Sequence, residues 1–154
     1  MSKCIYMDNA ATTQVYPEVF DAMKPYFTEF YGNPSSLHSV GQRAAEKLLQ
    51  ARMDVAECLG ADFKEIYFTS GGTESDNWAI KAAAQMLKEK GRHIITSKIE
   101  HHAILNSCAY LEKQGFEVTY LDVDEWGSIR LDVLEKAIRK DTILISVMYA
   151  NNEV

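Results

Sequence analysis

The short apolar run Ile66-Tyr67-Phe68 leads into Thr69-Ser70-Gly71-Gly72-Thr73-Glu74-Ser75-Asp76-Asn77. Apolar residues then recur at helical spacing, at Ile80, Ala83, Ala84 and Leu87. Strand, glycine turn, hydroxyl and helix start within so few residues fit a strand-to-helix connection and little else. Gly71 and Gly72 let the backbone turn tightly and approach a ligand without a Cβ in the way. The first N–H groups of a helix lack internal partners and lie at the positive end of its dipole. An anion such as a phosphate fits there, with Thr73 and Ser70 as candidate hydroxyl donors. The same pattern also reads as a capped helix, with Thr73 as N-cap and Asp76 as the N3 acid. The two readings are compatible, and the local pattern does not choose between them.

Strand and helix patterns alternate along the rest of the chain. Pro17 begins a helix bearing Val19, Phe20, Met23 and Phe27, which Pro25 bends or ends. Asn33-Pro34-Ser35-Ser36 is a loop by composition. Val40, Ala44, Leu48, Ala51, Val55 and Leu59 mark a long helix that stops at Gly60. Strands are expected over Glu65–Phe68, His93–Ser97, Glu117–Leu121 and Thr142–Tyr149. Between them lie the helix from Thr73 to near Gly91, one carrying Ile104, Cys108 and Leu111 and stopping at Gly115, a turn at Asp124-Glu125-Trp126-Gly127, and a short helix with Leu131, Leu134 and Ile138. Such alternation implies parallel strands with right-handed crossovers. The last strand, almost wholly apolar, reads as central. Ligands of open α/β sheets bind beyond the carboxyl ends of the strands, which is where Gly72-Thr73, His101 and Asn152 fall.

The 154 residues suffice for one domain with a sizeable core. A net charge of −6 gives no basic field for nucleic acid or anionic membrane, and no apolar run is long enough to span a bilayer. Met1-Ser2-Lys3-Cys4-Ile5-Tyr6 lacks a signal-peptide core, so a cytoplasmic location is expected. Cys4, Cys58 and Cys108 form no CxxC pair and no zinc spacing, which suits reduced thiols. Glu100-His101-His102 lacks the spacing of a helical zinc site, and no metal is expected. Cys58 and Cys108 lie in helices on or near apolar faces and read as small buried hydrophobes.

Five motifs, in order and spread from end to end, carry a family resemblance. They are Tyr6-Met7-Asp8-Asn9-Ala10-Ala11-Thr12-Thr13, Gly32-Asn33-Pro34-Ser35-Ser36-Leu37-His38, the Thr69–Asn77 loop, Ser97 to His101, and Ala150-Asn151-Asn152-Glu153. Together they resemble the cysteine desulfurases of the class V aminotransferase family, in the nitrogen-fixation and housekeeping branch. The resemblance implies an α/β fold of three layers, α-β-α, around a mostly parallel sheet. It places residues 1–14 with the small domain of full-length relatives and 15–154 in a partial cofactor-binding large domain. The cofactor it implies is pyridoxal 5′-phosphate (PLP), with its phosphate on Gly72 and Thr73. His101 would stack on the ring and help proton transfer, and Asn152 would donate to the ring hydroxyl oxygen. Ala11, Thr12, Asn33 and His38 would lie near the substrate.

The implied reaction converts L-cysteine to L-alanine and leaves persulfide sulfur on an enzyme cysteine, for a sulfur acceptor or scaffold protein in iron–sulfur cluster or thiocofactor assembly. Family members are homodimers. The Schiff-base lysine, the partner of the pyridine nitrogen and the nucleophilic cysteine lie downstream in full-length relatives. The chain therefore reads as a truncated N-terminal portion, catalytically incompetent alone. Lys98 does not replace the lysine, because strand alternation sets it apart from Ser97 and Ile99. Alternatives are another class V activity, such as selenocysteine lyase or aminotransferase, a non-catalytic binding module, or a fragment without function.

Overall fold

A computed structural model describes residues 4–154, so Met1–Lys3 and the terminal reading made on them lie outside the described residues. The chain forms two compact units that meet between Phe68 and Thr69.

The first unit is helical. Pro17 at N1 pre-sets the backbone for α1, Pro17–Met23, and Pro25 starts the short α2, Pro25–Thr28, after a break at Lys24. Of the two outcomes expected of Pro25, bending or ending the helix, the structure shows the second. A long helix, α3, spans Ser39–Leu59. His38 caps its start, with Nδ1 accepting from the Gly41 N–H, and Gly60 in the left-handed conformation (φ 64°) ends it. Gly41 is buried, and a Cβ there would come within 2.7 Å of the Asn33 carbonyl oxygen. Of α3, Gly41, Ala44 and Ala56 are buried, whereas Leu48, Leu49, Met53 and Leu59 stay exposed.

Two expectations fail in this unit. Cys58 is exposed, not buried, because it sits two residues and about 200° of helical rotation from the buried Ala56. The strand expected over Glu65–Phe68 is replaced by a 3₁₀ turn, Phe63–Glu65, closed by a capping box from Asp62, and residues 66–68 follow outside any strand. The Ile66 carbonyl accepts from the Arg52 guanidinium instead of a strand, and the guanidinium lies 5.0 Å from the Phe68 ring centroid.

The second unit follows the α/β pattern: α4 Gly72–Leu87, β1 His93–Ser97, α5 His102–Glu112, β2 Glu117–Leu121, α6 Leu131–Ala137 and β3 Thr142–Ser146. The strands are parallel, in the order β2-β1-β3. Ile80 and Ala84 of α4 and Ile104, Cys108 and Leu111 of α5 close over Ile94, with Val118, Tyr120, Ile143 and Leu144 around them. Gly91 allows the turn into β1, since a Cβ there would stand 2.7 Å from the Asp141 Cα.

The central strand is β1, not the last one. All five β1 residues are buried, including His93, Thr96 and Ser97. β3 takes an edge and stops at Ser146, and Ile145 and Val147 are exposed. Apolarity alone misleads here, because the pairing order decides which strand is flanked on both sides. At the amino end of the sheet the His93 ring holds the three strands together. Nδ1 is 2.7 Å from the Thr142 hydroxyl and Nε2 is 2.8 Å from the Thr119 hydroxyl.

This topology sets three segments on one rim of the sheet. The chain passes from the end of α4 directly into the start of β1, so the start of α4 lies toward the carboxyl ends of the strands. The starts of α5 and of the segment after β3 follow those strand ends directly.

Candidate functional site

At the start of α4 the helix begins at Gly72, two residues earlier than a cap at Thr73 implies. Gly71, not Thr73, is the N-cap (φ 159°, ψ 177°). The acid at N3 is consequently Glu74 rather than Asp76. Its Oε2 accepts from both the N–H and the hydroxyl of Ser70, at 2.7 Å each. These two bonds, the hydroxyl's first, hold the Glu74 carboxyl below the usual carboxylate range. Ser70 is therefore committed to Glu74 and is not the second hydroxyl donor that the sequence offered. Thr69 and Ser75 brace the same turn through a 2.7 Å hydroxyl pair.

What remains open is the amide end of the helix and the Thr73 hydroxyl, which has no partner among the described residues. A Cβ on Gly71 or Gly72 would meet nothing within 4 Å, so the space over these amides is clear. An open groove runs from there past Asn77 and Trp78 to Lys81, whose Nζ bonds the Asn77 side chain at 2.6 Å.

His101 is the N-cap of α5. Its Nδ1 accepts from the Ala103 N–H at 3.1 Å, which fixes the neutral ring as the Nε2–H tautomer. The ring is otherwise exposed, and its centroid is 6.4 Å from that of His102 at a 53° tilt. The preceding residue, Glu100, is 6% exposed. Its Oε1 accepts from the Ser97 hydroxyl at 2.9 Å and from the Met148 N–H at 2.8 Å. Lys98 pairs with Asp122 at 2.5 Å, an exposed contact at the end of β2.

After β3, Asn151 and Asn152 have different settings. Asn151 Nδ2 donates to the Ile99 carbonyl at 2.8 Å, and Oδ1 accepts from the Glu153 and Val154 N–H groups at 2.7 and 3.2 Å. Asn152 is exposed. A 310 Å³ cavity lies beside this segment, lined by Ser97, Ile99, Trp126, Met148 and Asn151 among others.

Gly72, Thr73, His101 and Asn152 thus share the carboxyl rim of the second unit. Ala11, Thr12, Asn33 and His38 belong to the first. The Ala11 and Thr12 N–H groups donate to the Asp8 carbonyl in a turn, and Tyr6 adds its hydroxyl to the same carbonyl. Asn33 forms an Asx turn with the Ser35 N–H at 2.9 Å. The interlocking of Glu100 and Asn151 was not read from the sequence, since it depends on which backbone groups lie opposite in space. A carboxylate three residues after a serine at a strand end was its only local sign.

Cys108 is fully buried and its thiol is pushed up to about 11 by that burial, so it is an inert core residue. Cys4 and Cys58 are exposed. Among the described residues no three His, Cys, Asp or Glu side chains gather as metal ligands. Nor is any helix there long and apolar enough to cross a membrane.

The family described as aminotransferase class-V matches residues 5–154. A cysteine desulfurase IscS from Methanosarcina thermophila is 60% identical over 153 residues, which is 99% of this chain and 38% of the relative. Cysteine desulfurase 2 of Trichormus variabilis is 59% identical over 149 residues, 97% of this chain and 37% of the relative. Among solved structures, a NifS-like protein superposes with a TM-score of 0.91 at 45% identity, covering 95% of this chain and 40% of that one. SspA in complex with cysteine gives 0.87 at 43% identity, covering 94% and 42%. The chain spans about two-fifths of the length of the proteins it matches.

Proposed function

The chain belongs to the class V aminotransferase family, and on that premise we propose that it is the N-terminal part of a PLP-dependent cysteine desulfurase. The observation that carries the reading is the open amide end of α4 with its unpartnered Thr73 hydroxyl, on the same strand-end rim as His101 and Asn152. A helix N-terminus with a clear approach and a free hydroxyl has the donor chemistry for a phosphate monoester. An imidazole and a carboxamide at the same rim suit an aromatic ring bearing a hydroxyl. The residues therefore fit PLP.

In this reading the Gly72 and Thr73 amides and the Thr73 hydroxyl hold the phosphate. His101 would lie against the ring, with Nε2 as the nitrogen left to exchange a proton. Its Nδ1 stays engaged with Ala103, so proton transfer is confined to one nitrogen. Asn152 donates to the ring hydroxyl oxygen. When bound, PLP supplies an electron sink for charge developing on the amino-acid Cα. Residues 1–14 are assigned to a small domain and 15–154 to the large one, and Ala11, Thr12, Asn33 and His38 to the vicinity of the substrate. The whole protein acts as a cytoplasmic homodimer, takes L-cysteine to L-alanine and passes persulfide sulfur to an acceptor or scaffold protein for iron–sulfur cluster assembly.

The test has two arms. PLP added to the purified chain should acquire a shifted absorbance band that saturates, and an unchanged spectrum refutes binding by this part. The complete protein, given PLP, L-cysteine and a thiol reductant, should release alanine and sulfide in equal amounts. Alanine without sulfide, or neither product, refutes the desulfurase reading.

A further inference from the structure

Two side chains that the proposed cofactor contacts leave unused are interlocked between the loops that carry those contacts. The loop after β1 contains Ile99, Glu100 and His101. The segment after β3 contains Met148, Asn151 and Asn152. Glu100 reaches from the first loop to the backbone of the second, with Oε1 accepting from the Met148 N–H at 2.8 Å. Asn151 reaches back, with Nδ2 donating to the Ile99 carbonyl at 2.8 Å. Each side chain crosses to the opposite backbone, and each directly precedes one of the two residues assigned to the PLP ring.

We propose that Glu100 and Asn151 form a reciprocal clamp that sets His101 and Asn152 at the separation the ring requires. The inference rests on the reading that those two residues meet PLP. Both clamp residues are positioning residues and touch neither cofactor nor substrate.

Burial gives Glu100 its force. A carboxylate at 6% exposure is costly unless its oxygens are bonded, and here one oxygen collects a hydroxyl from Ser97 and an amide from Met148. Ser97 is itself buried at the end of the central strand, so the carboxylate is anchored to the fully buried strand of the sheet. β3 lies at the edge of the described sheet, where the segment beyond Ser146 has no strand ladder of its own. The Met148 amide and the Asn151 side chain tie it to the centre. Asn151 then uses its Oδ1 to turn the chain through Glu153 and Val154, which leaves Asn152 at the apex of that turn. Misplacing a contact by about 1 Å is enough to forfeit much of its value.

Binding of PLP and of inorganic phosphate to the purified protein separates this role from a general structural one. Inorganic phosphate probes the Gly72–Thr73 loop alone, whereas PLP also probes the ring contacts. E100A and N151A should each weaken PLP binding by about five-fold, with phosphate binding within about two-fold of the parent. The double variant should be little worse than the weaker-binding single, because both bonds hold the same two loops. Hydrogen exchange at the Met148 amide, followed without ligand, should be slow in the parent and accelerated in E100A and N151A.

Unchanged PLP binding in both single variants overturns the clamp. So does a parallel loss of PLP and phosphate, which would report general damage. A parent in which the Met148 amide already exchanges fast overturns it too. A parent that binds no PLP refutes cofactor binding by this part of the protein, and with it the positioning role argued here. Met148 exchange would then still decide whether the interlock exists.

Discussion

Replacing His93 by leucine tests how this sheet is held together. The imidazole is 1% exposed and bonds the Thr142 hydroxyl at 2.7 Å and the Thr119 hydroxyl at 2.8 Å, one on each flanking strand. Leucine fills similar space but bonds neither. Each hydrogen bond contributes about 1 kcal/mol net, so H93L should lose about 2 kcal/mol. Thr142 keeps the Arg139 N–H at 2.8 Å, which argues against a larger figure. For a chain of this size that is a fall in Tm of about 4–8 °C, read by circular dichroism near pH 7.5.

The same variant carries a pH signature. Burial, and secondarily the Arg139 charge, hold the His93 imidazole below the ordinary histidine value of 6.5, with Asp141 and Glu117 opposing. Below 6.5 the unfolded chain therefore binds a proton that the folded chain resists. The contribution is fully present above pH 6.5 and is lost as pH falls through 6.5 toward the folded-state value. Glu117 and Asp141 are themselves held below their ordinary values of 4.5 and 3.8, chiefly by hydrogen bonds from Arg139, so they titrate beneath this window. The parent should lose Tm between about pH 7 and pH 5.5, and H93L should lose less over that interval. Equal Tm values near pH 7.5 together with equal acid slopes would refute the bridging argument.

Removing the hydroxyl in T73V should weaken binding of PLP and of inorganic phosphate by about 10-fold or more, since a hydrogen bond to a charged group contributes roughly 1.5–3 kcal/mol. Absorbance and competition titrations would check this, and undiminished phosphate binding would move the anion site elsewhere. G91A forces a Cβ to within 2.7 Å of the Asp141 Cα, so a urea midpoint lower by about 1–3 kcal/mol of stability is expected. An unaltered midpoint would show that this turn is loose. With an aromatic disulfide reagent, Cys4 and Cys58 should react in the native protein and Cys108 only on unfolding. Three equally fast thiols would contradict the packing around α5.

Much was legible in the sequence because it is written locally. Apolar runs that follow Gly91 and Gly115 delimit β1 and β2, and the observed strands, His93–Ser97 and Glu117–Leu121, have the expected ends. Pro17, Pro25 and Gly60 act through their own backbone torsions and punctuate α1, α2 and α3 as expected. Gly71-Gly72-Thr73 announced a helix start, although the cap falls on Gly71 and the bracing acid is Glu74. That shift reflects competition for Ser70, whose N–H and hydroxyl go to whichever carboxylate the first helical turn brings back over them. Adjacent asparagines could not be told apart by side-chain chemistry, since Asn151 and Asn152 carry the same group.

Tertiary structure decided the matters that depend on who lies opposite whom. Periodicity records how apolar a strand is, and Thr142–Ser146 is apolar, yet β1 with its buried His93, Thr96 and Ser97 is the strand flanked on both sides. His93 and Ser97 occupy that centre because threonine hydroxyls from the neighbouring strands and a carboxylate from the next loop arrive to bond them, whereas the Thr96 hydroxyl is buried without a hydrogen-bond partner. The Glu100–Met148 and Asn151–Ile99 bonds join residues 48 and 52 positions apart in the chain. A hydrogen bond needs its two atoms about 3 Å apart, and only the closed sheet brings these together.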